Sequence, residues 1–323
     1  MKPLKDYYKF QVRGGDVGTE VETEFLALPA EPNIPGWIVH NEGSIRGIAR
    51  EFVTDGPVPF HRKRSAYEAL ASTLDKLQVN RESHRTSIHN HINVSRISPM
   101  QTWTAATLYW MVENLLFSYC GEDRVGNLFC LRLNDAEGLL SNVFDDLDSM
   151  YPFKTLLGND DLRYAGLNIN AIRKFGSLEF RGMRGVYDVD TLDEWSTACY
   201  NIVHGAGRFH SPEHLMDEFY KLDKREFLAQ IFGADFTNVL LKNVWWKDLL
   251  DDSVMSALPL AYYHDWDSWA AKMEKNRLLL KDRPSLNKEG RIELGVNALA
   301  NNRGLGLDDR PQWDENLERW VYR

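Results

Sequence analysis

The sequence predicts an α+β fold: an antiparallel or mixed sheet with helices on one face and a polar second face, followed by a mostly helical C-terminal extension. Three observations carry this prediction. Short segments of apolar–polar alternation recur up to Gly182, and helical patterning dominates from Ser211 onward. The polar positions of the alternating segments are carboxylates, imidazoles, amides and guanidiniums, with Lys and Thr missing from most of them. A sheet-bearing domain over residues 1–210 and a helical appendage over residues 211–323 are therefore expected. With 323 residues, 43% of them hydrophobic, the chain has enough apolar material to offset the entropy lost on folding.

Each element has its own signal. Val17 to Leu28 alternates, Trp37 to Val39 is short and apolar, and Gly47 to Val53 and Thr86 to Ser95 alternate again. Ser65, with Glu68 three residues on, predicts a capped helix whose Ala66, Leu70, Leu74 and Leu77 form an apolar stripe against the sheet. Trp103 to Cys120 has the length and pattern of a second helix, and acidic residues around Asp135 to Asp148 mark a shorter amphipathic piece. Leu167 to Ile172 and Ser177 to Gly182 flank Arg173-Lys174-Phe175-Gly176, which predicts a hairpin with Gly176 in its turn. A helix follows from Asp190 or Thr191 to Ala206. Beyond Ser211, with Pro212 near a first turn, helices continue until a loop-like tail from Asn301 to Arg323.

Charge and cysteine usage narrow the class. A formal charge of -9 makes the surface repel polyanions, so general nucleic-acid binding is not expected. The basic cluster His61-Arg62-Lys63-Arg64 reads as a solvated turn before a helix. Cys120, Cys130 and Cys199 are too sparse for a disulfide framework and read as buried thiols in a reducing cytoplasm. The N-terminus lacks the apolar run of a signal peptide, and no stretch approaches the ~20 apolar residues of a membrane helix. A soluble cytoplasmic protein is expected.

The second faces of the strands carry the functional signal. Side chains two apart on a strand share a face, about 6.7 Å apart. Glu20, Glu22 and Glu24 therefore lie together, opposite Thr19, Val21, Thr23 and Phe25. Such a row repels itself unless it faces water, meets arginines or holds a hard cation. An exposed sheet face would explain one such strand. Repetition argues for a shared polar cavity: Ser87, His89, His91, Asn93 and Ser95 share a face, as do Ser177, Glu179 and Arg181, while Asn168 and Asn170 oppose Leu167, Ile169 and Ala171. No G-x-x-x-x-G-K-[ST] loop occurs, and no G-x-G-x-x-G follows a strand. Gly14-Gly15-Asp16-Val17-Gly18 reads as a flexible approach to the first strand rather than an anion nest. The carboxylate excess around His89 and His91 favours an oxygen-liking ion over zinc.

These motifs, in this order, resemble the amidoligase branch of the carboxylate-amine ligase superfamily, which shares its fold with glutamine synthetase and glutamate-cysteine ligase. Gly18-x-Glu20-x-Glu22 is similar to the family's opening G-x-E-x-E strand, and Glu42-Gly43-Ser44 then Arg50-Glu51-Phe52-Val53 to its D-G-S and E-[FL]-V pair, with Glu42 departing from the usual Asp. His89-x-His91-x-Asn93 resembles the H-V-H strand. Leu167-Asn168 and Gly176-Ser177-Leu178-Glu179-Phe180-Arg181-Gly182 resemble L-N and T-x-E-F-R, closed by Gly185-Val186-Tyr187-Asp188 where the family has G-T-x-D. The resemblance runs from about Gly18 to about Trp195. The last third has no counterpart, and viral branches of the family carry such extensions, which fits a phage origin and a host cytoplasm.

The resemblance implies a glutamine-synthetase-like catalytic domain in which ATP phosphorylates a substrate carboxylate and an amine attacks the acyl phosphate. It implies Mg2+ on Glu20, Glu22 and Glu179, with Glu51 completing a metal site or deprotonating the amine. His89 and His91 would meet phosphate or a third cation, Asn93 and Asn168 would join the nucleotide shell, and Arg181 would steady the transferring phosphoryl group. Arg163 and Arg184 are candidates for clamping the substrate carboxylate or, in Arg184's case, the nucleotide, with surface ion pairs as the alternative reading. Substrates would be small-molecule or peptide carboxylates and amines, and a homo-oligomer is compatible with this reading. A guanidino-kinase-like phosphotransferase and a non-catalytic phage-associated binding protein are the alternatives.

Overall fold

A computed structural model describes residues 1–279 apart from residues 9–13, 28–31, 46, 82, 137, 155 and 159–162, together with residues 285–286, 292–293, 312–314 and 319–321. The sequence's loop-like reading of residues 301–323 lies mostly outside this set; within it, Gln312–Asp314 pairs with Arg319–Val321. The chain is a mixed α+β protein. Its main sheet has six antiparallel strands: β1 (Val17–Phe25), β2 (Trp37–Asn41), β3 (Ile48–Thr54), β4 (Ser87–Asn93), β5 (Leu167–Asn168) and β6 (Ser177–Arg184), in the order β2-β3-β1-β4-β6-β5.

Alternation decides which face is buried. On β1, Val17, Thr19, Val21, Thr23 and Phe25 are all buried, and Phe52 of β3 stands opposite Val21 on that same side. Against this face lie α1 (Lys63–Leu74), α2 (Pro99–Cys120) and α5 (Val189–Gly205), with α3 (Leu139–Asp148) and α4 (Ala171–Phe175) between the strands. Helices α6 (Pro212–Lys221), α7 (Lys224–Phe232), α8 (Ala234–Leu240), α9 (Trp246–Ala261) and α10 (Trp266–Leu279) fill the last third. One apolar core runs from Leu4 to Met273 through both expected parts of the chain. Among the described residues, no helix is long and apolar enough to cross a membrane.

Several local expectations are corrected. The helix predicted to start at Ser65 starts at Lys63, after a 3-10 turn (Phe60–Arg62), and no side chain caps it. Within the basic cluster, His61 and Arg62 form the exposed turn before the helix, as expected, and Arg64 is exposed and meets Asp190 at 2.7 Å, whereas Lys63 departs from the expectation by being buried against Asp193. Leu167 to Ile172 does not run as a strand into a tight hairpin. Only Leu167–Asn168 pairs with β6, and Asn170 instead precedes α4, because Ala171 and Ile172 bury themselves through a helical turn.

The approach to β1 is also fixed rather than flexible. Gly15 sits at φ +126, where a Cβ would lie 2.1 Å from the Pro57 carbonyl oxygen, so only glycine fits. The Asp16 N–H donates to Val58, and Asn93 reaches back to the Gly15 carbonyl at 2.9 Å. Helix α2 begins four residues before Trp103, at Pro99, behind a capping box of Ser98 and Gln101.

Candidate functional site

The open face of the sheet is where the acidic row lies, and register assembles it. Glu20 on β1 stands opposite His89 on β4, Glu22 opposite Glu51 on β3, and His91 on β4 opposite Glu179 on β6. Three overlapping groups result, each with ligand atoms within 4.8 Å of one another: Glu20, His91 and Glu179; Glu20, Glu51 and His89; and Glu22, Glu42 and Glu51. They form a ladder running diagonally across the sheet from β6 to the turn after β2. Glu20 belongs to two rungs, and so does Glu51.

Hydrogen bonds fix most of its members. Glu22 accepts from the Ser87 N–H at 2.9 Å and the Ser87 hydroxyl at 2.7 Å, and Ser87 Oγ lies 2.8 Å from His89 Nε2. His89 Nδ1 is 3.1 Å from Glu20 Oε2 and 3.6 Å from Glu179 Oε1. Glu179 accepts from Asn168 Nδ2 at 2.6 Å and pairs with Arg181, whose Nε donates to the Phe129 carbonyl at 3.3 Å. His91 Nδ1 meets Ser177 Oγ at 3.0 Å. Its buried Nε2 faces the ladder and pairs with Glu20 Oε1 at 3.3 Å.

Burial and crowding set the charges. Burial alone would raise the Glu20 and Glu179 carboxyls, but His91, with His89 and, for Glu179, Arg181, outweighs it and holds both below the usual carboxylate range. Burial alone would push His91 down, but the facing Glu179 and Glu20 carboxylates win and raise it. Glu51 goes the other way: burial first, then the neighbouring charge of Glu20, pushes its carboxyl up to about 7, with Glu42 and Glu22 adding to the effect against the pull of His89.

Not every predicted residue joins the ladder. Glu24 is drawn away by Arg85 and, at 3.4 Å, Asn80. Asn93 lies near, but its Nδ2 is bound to Gly15 and its Oδ1 accepts from the N–H and hydroxyl of Ser95. Arg184 is withdrawn, because its Nη1 donates to the Tyr119 and Cys120 carbonyls at 3.2 and 3.0 Å, at the electronegative end of α2. Arg163 is exposed, with its guanidinium carbon 4.6 Å from the Tyr164 ring centroid. Two residues without an expected role enter instead. Glu42 supplies a carboxylate from its turn, where it also accepts from the Ser44 N–H at 2.6 Å, and Ser87 orients both Glu22 and His89.

Beside the ladder lies a cleft of about 410 Å³. Ile38, Val53 and Pro57 form apolar walls, Glu20 and His91 face it from the ladder, and Lys174 and Phe175 of α4 line it as well. Phe175 is 45% exposed and meets His91 edge-on at 5.1 Å. No family model matches the chain, and the comparison with curated proteins returns no match.

Proposed function

We propose that the protein is an ATP- and Mg2+-dependent carboxylate–amine ligase on a glutamine-synthetase-like sheet. The ladder carries this reading: three linked, oxygen-rich ligand sets lie on one face of the sheet, which is the donor chemistry that holds hard divalent cations. The donor chemistry fits divalent ions. The all-carboxylate set of Glu22, Glu42 and Glu51 suits Mg2+, and His91 Nε2 is the one nitrogen ligand in the Glu20–His91–Glu179 set. Bound there, the cations would supply charge neutralisation between a substrate carboxylate and the γ-phosphate.

The protein's own groups do the rest. The cleft has walls for a nucleotide base in Ile38, Val53, Pro57 and Phe175, and a cation for phosphate in Lys174. A carboxylate oxygen of the acid attacks the γ-phosphorus and ADP leaves. The amine nitrogen then attacks the acyl carbon, phosphate leaves, and one amine proton passes to a base. Glu51 suits that proton, since its carboxyl titrates at about 7. Arg181, braced by Glu179 and the Phe129 carbonyl, stabilises the charge on the transferring phosphoryl group.

Trapping tests the reaction. With ATP, Mg2+, hydroxylamine and a panel of amino-acid and peptide carboxylates, a hydroxamate is expected to form together with ADP. A kinase on the same sheet would release ADP only with a guanidino acceptor and give no hydroxamate. A non-catalytic binding protein would show no Mg2+-dependent nucleotide binding by calorimetry.

Glu51 supplies a second test. Its folded carboxyl, at about 7, lies above the 4.5 of an unstrained glutamate. Keeping it ionised therefore costs stability increasingly as pH climbs from 4.5 through 7. In chelator, Glu51→Gln is expected to melt higher than the unaltered protein at pH 8 and about equally at pH 5. In the presence of Mg2+ the same variant should lose the acid limb of the pH–rate profile. Identical melting curves at both pH values would count against the crowded, ionised ladder.

A further inference from the structure

Arg181 stands at an irregularity of the sheet. Ile88 of β4 pairs with Met183 of β6 and Asn90 with Phe180, so Arg181 and Gly182 together face the single residue His89. Such a β-bulge interrupts the ladder of backbone bonds and re-aims the side chain it carries. On its other edge β6 pairs with β5 at Phe180 and Glu179, and the Gly166 carbonyl accepts the Arg181 N–H at 2.9 Å. The carbonyls of both bulged residues go to one side chain, that of Arg124: its Nε donates to the Gly182 oxygen at 3.1 Å and its Nη2 to the Arg181 oxygen at 3.0 Å.

Arg124 ends the 3-10 turn Glu122–Arg124 that follows α2, and it is 2% exposed. What its guanidinium binds there is backbone rather than a carboxylate. Burying a charge against carbonyls is a costly way to stabilise a fold, because the lost hydration is not returned by a counter-charge. A planar fork of donors does, however, span two neighbouring carbonyls in one fixed geometry. The same segment also grips the far end of Arg181. The Phe129 carbonyl accepts from Arg181 Nε at 3.3 Å, and the Cys130 thiol donates to the Arg124 carbonyl at 3.6 Å, so the stretch from Arg124 to Cys130 holds Arg181 by backbone and by side chain. Behind the bulge, a Cβ on Gly182 would lie 3.2 Å from Phe117 Cε2, which presses this turn of β6 against α2.

We propose that Arg124 is a positioning residue for phosphoryl transfer: by holding both carbonyls of the bulge, it aims the Arg181 guanidinium along the ladder face. The purpose rests on the ligase reading; the mechanical link from Arg124 to Arg181 does not. Arg124→Lys isolates that link, since it keeps the positive charge and gives up the fork.

Two measurements on the full-length protein test this. Arginine side-chain NMR, with peaks assigned by their loss in Arg124→Lys and Arg181→Lys, should show both Nε–H groups protected from solvent exchange in the unaltered protein. In Arg124→Lys the Arg181 Nε–H should exchange about tenfold faster, the loss expected for a hydrogen bond of a charged donor. In the hydroxylamine assay, kcat should fall about ten- to a hundredfold in Arg124→Lys, the effect of a small misplacement at a reacting centre, with KM for ATP unchanged. Added to Arg181→Lys, the same substitution should change kcat by no more than about twofold, whereas a merely structural role would cost an equal factor in both backgrounds. Unchanged Arg181 exchange, an unchanged kcat, or equal losses in the two backgrounds overturns the assignment. Should Arg124→Lys fail to fold, the unaltered protein decides: protection of both Nε–H groups upholds the link, and exchange of either at the rate of free arginine overturns it. Absence of hydroxamate with every acid, with Arg181 exchange still raised by Arg124→Lys, would overturn the ligase reading and leave the link between the two arginines standing.

Discussion

Glu179→Gln is expected to cut Mg2+-dependent ADP release by about a thousandfold or more, roughly 4 kcal/mol of transition-state stabilisation, while the protein stays folded. Glutamine keeps the shape and removes the charge. The carboxylate is buried on β6 and touches Asn168 Nδ2, Arg181 and His89, and with Glu20 and His91 it makes one rung of the ladder. Replacing it takes away a cation ligand and unbalances Arg181 in one step. The fold should weaken by about 1–3 kcal/mol, the usual cost of leaving a charged partner poorly matched. The pH dependence of that loss has a defined sign. Glu179 and Glu20 titrate below the usual range, so what they contribute is present above about pH 4.5 and lost as pH falls through their folded values. His91 titrates above 6.5, so its contribution is full below that pH and lost as pH rises past its folded value. Glu179→Gln should therefore destabilise most between these limits. Full activity in this variant would remove Glu179 from the chemistry altogether.

The second large effect concerns Mg2+ itself. Adding millimolar Mg2+ to the unaltered protein is expected to raise its melting temperature by several degrees, because an ion bound to the native state at a hundred times its dissociation constant stabilises by about 2.7 kcal/mol. Glu20→Gln should abolish most of that gain, since Glu20 serves two of the three ligand sets. The comparison is made by differential scanning calorimetry in chelator and in Mg2+, with Ca2+ as a control for oxygen-liking cations in general. A melting temperature indifferent to Mg2+ would leave the ladder a merely solvated acidic surface.

Much of this site could be read from the chain because a strand's period of two is local. Glu20 and Glu22, His89 and His91, and Glu179 and Arg181 announce their shared faces within a few residues each. What brings those faces together is register, which no single segment encodes. The withdrawal of Glu24 depends on Arg85 and Asn80, 61 and 56 residues away. Arg184 was beyond local reading for a related reason. Between Ile88 and Asn90 of β4 the register slips, so that two residues of β6 face one, and the arginine ends up against the carbonyls of α2. Glu42 lies in a turn, outside any alternating pattern, and its only signal was the Glu42-Gly43-Ser44 motif. Segment type failed where burial overrode pattern: Ala171 continues the strand-like alternation of Leu167 and Ile169, yet it and Ile172 are buried in α4.

Helix α2 is apolar on nearly every side, with Trp103, Tyr109, Trp110, Leu115 and Phe117 all buried. Such a helix cannot be content with a sheet alone. Its inner side rests on β6, and α6, α8 and α9 roof the outer one, where Ser253 of α9 accepts the Asn114 N–H at 2.9 Å. The C-terminal helices are thus part of the scaffold that holds Glu179 in place, not a detachable accessory. Shortening the chain at the end of α5 would strip a greasy surface bare and invite aggregation, so the protein is best produced and engineered with both halves intact.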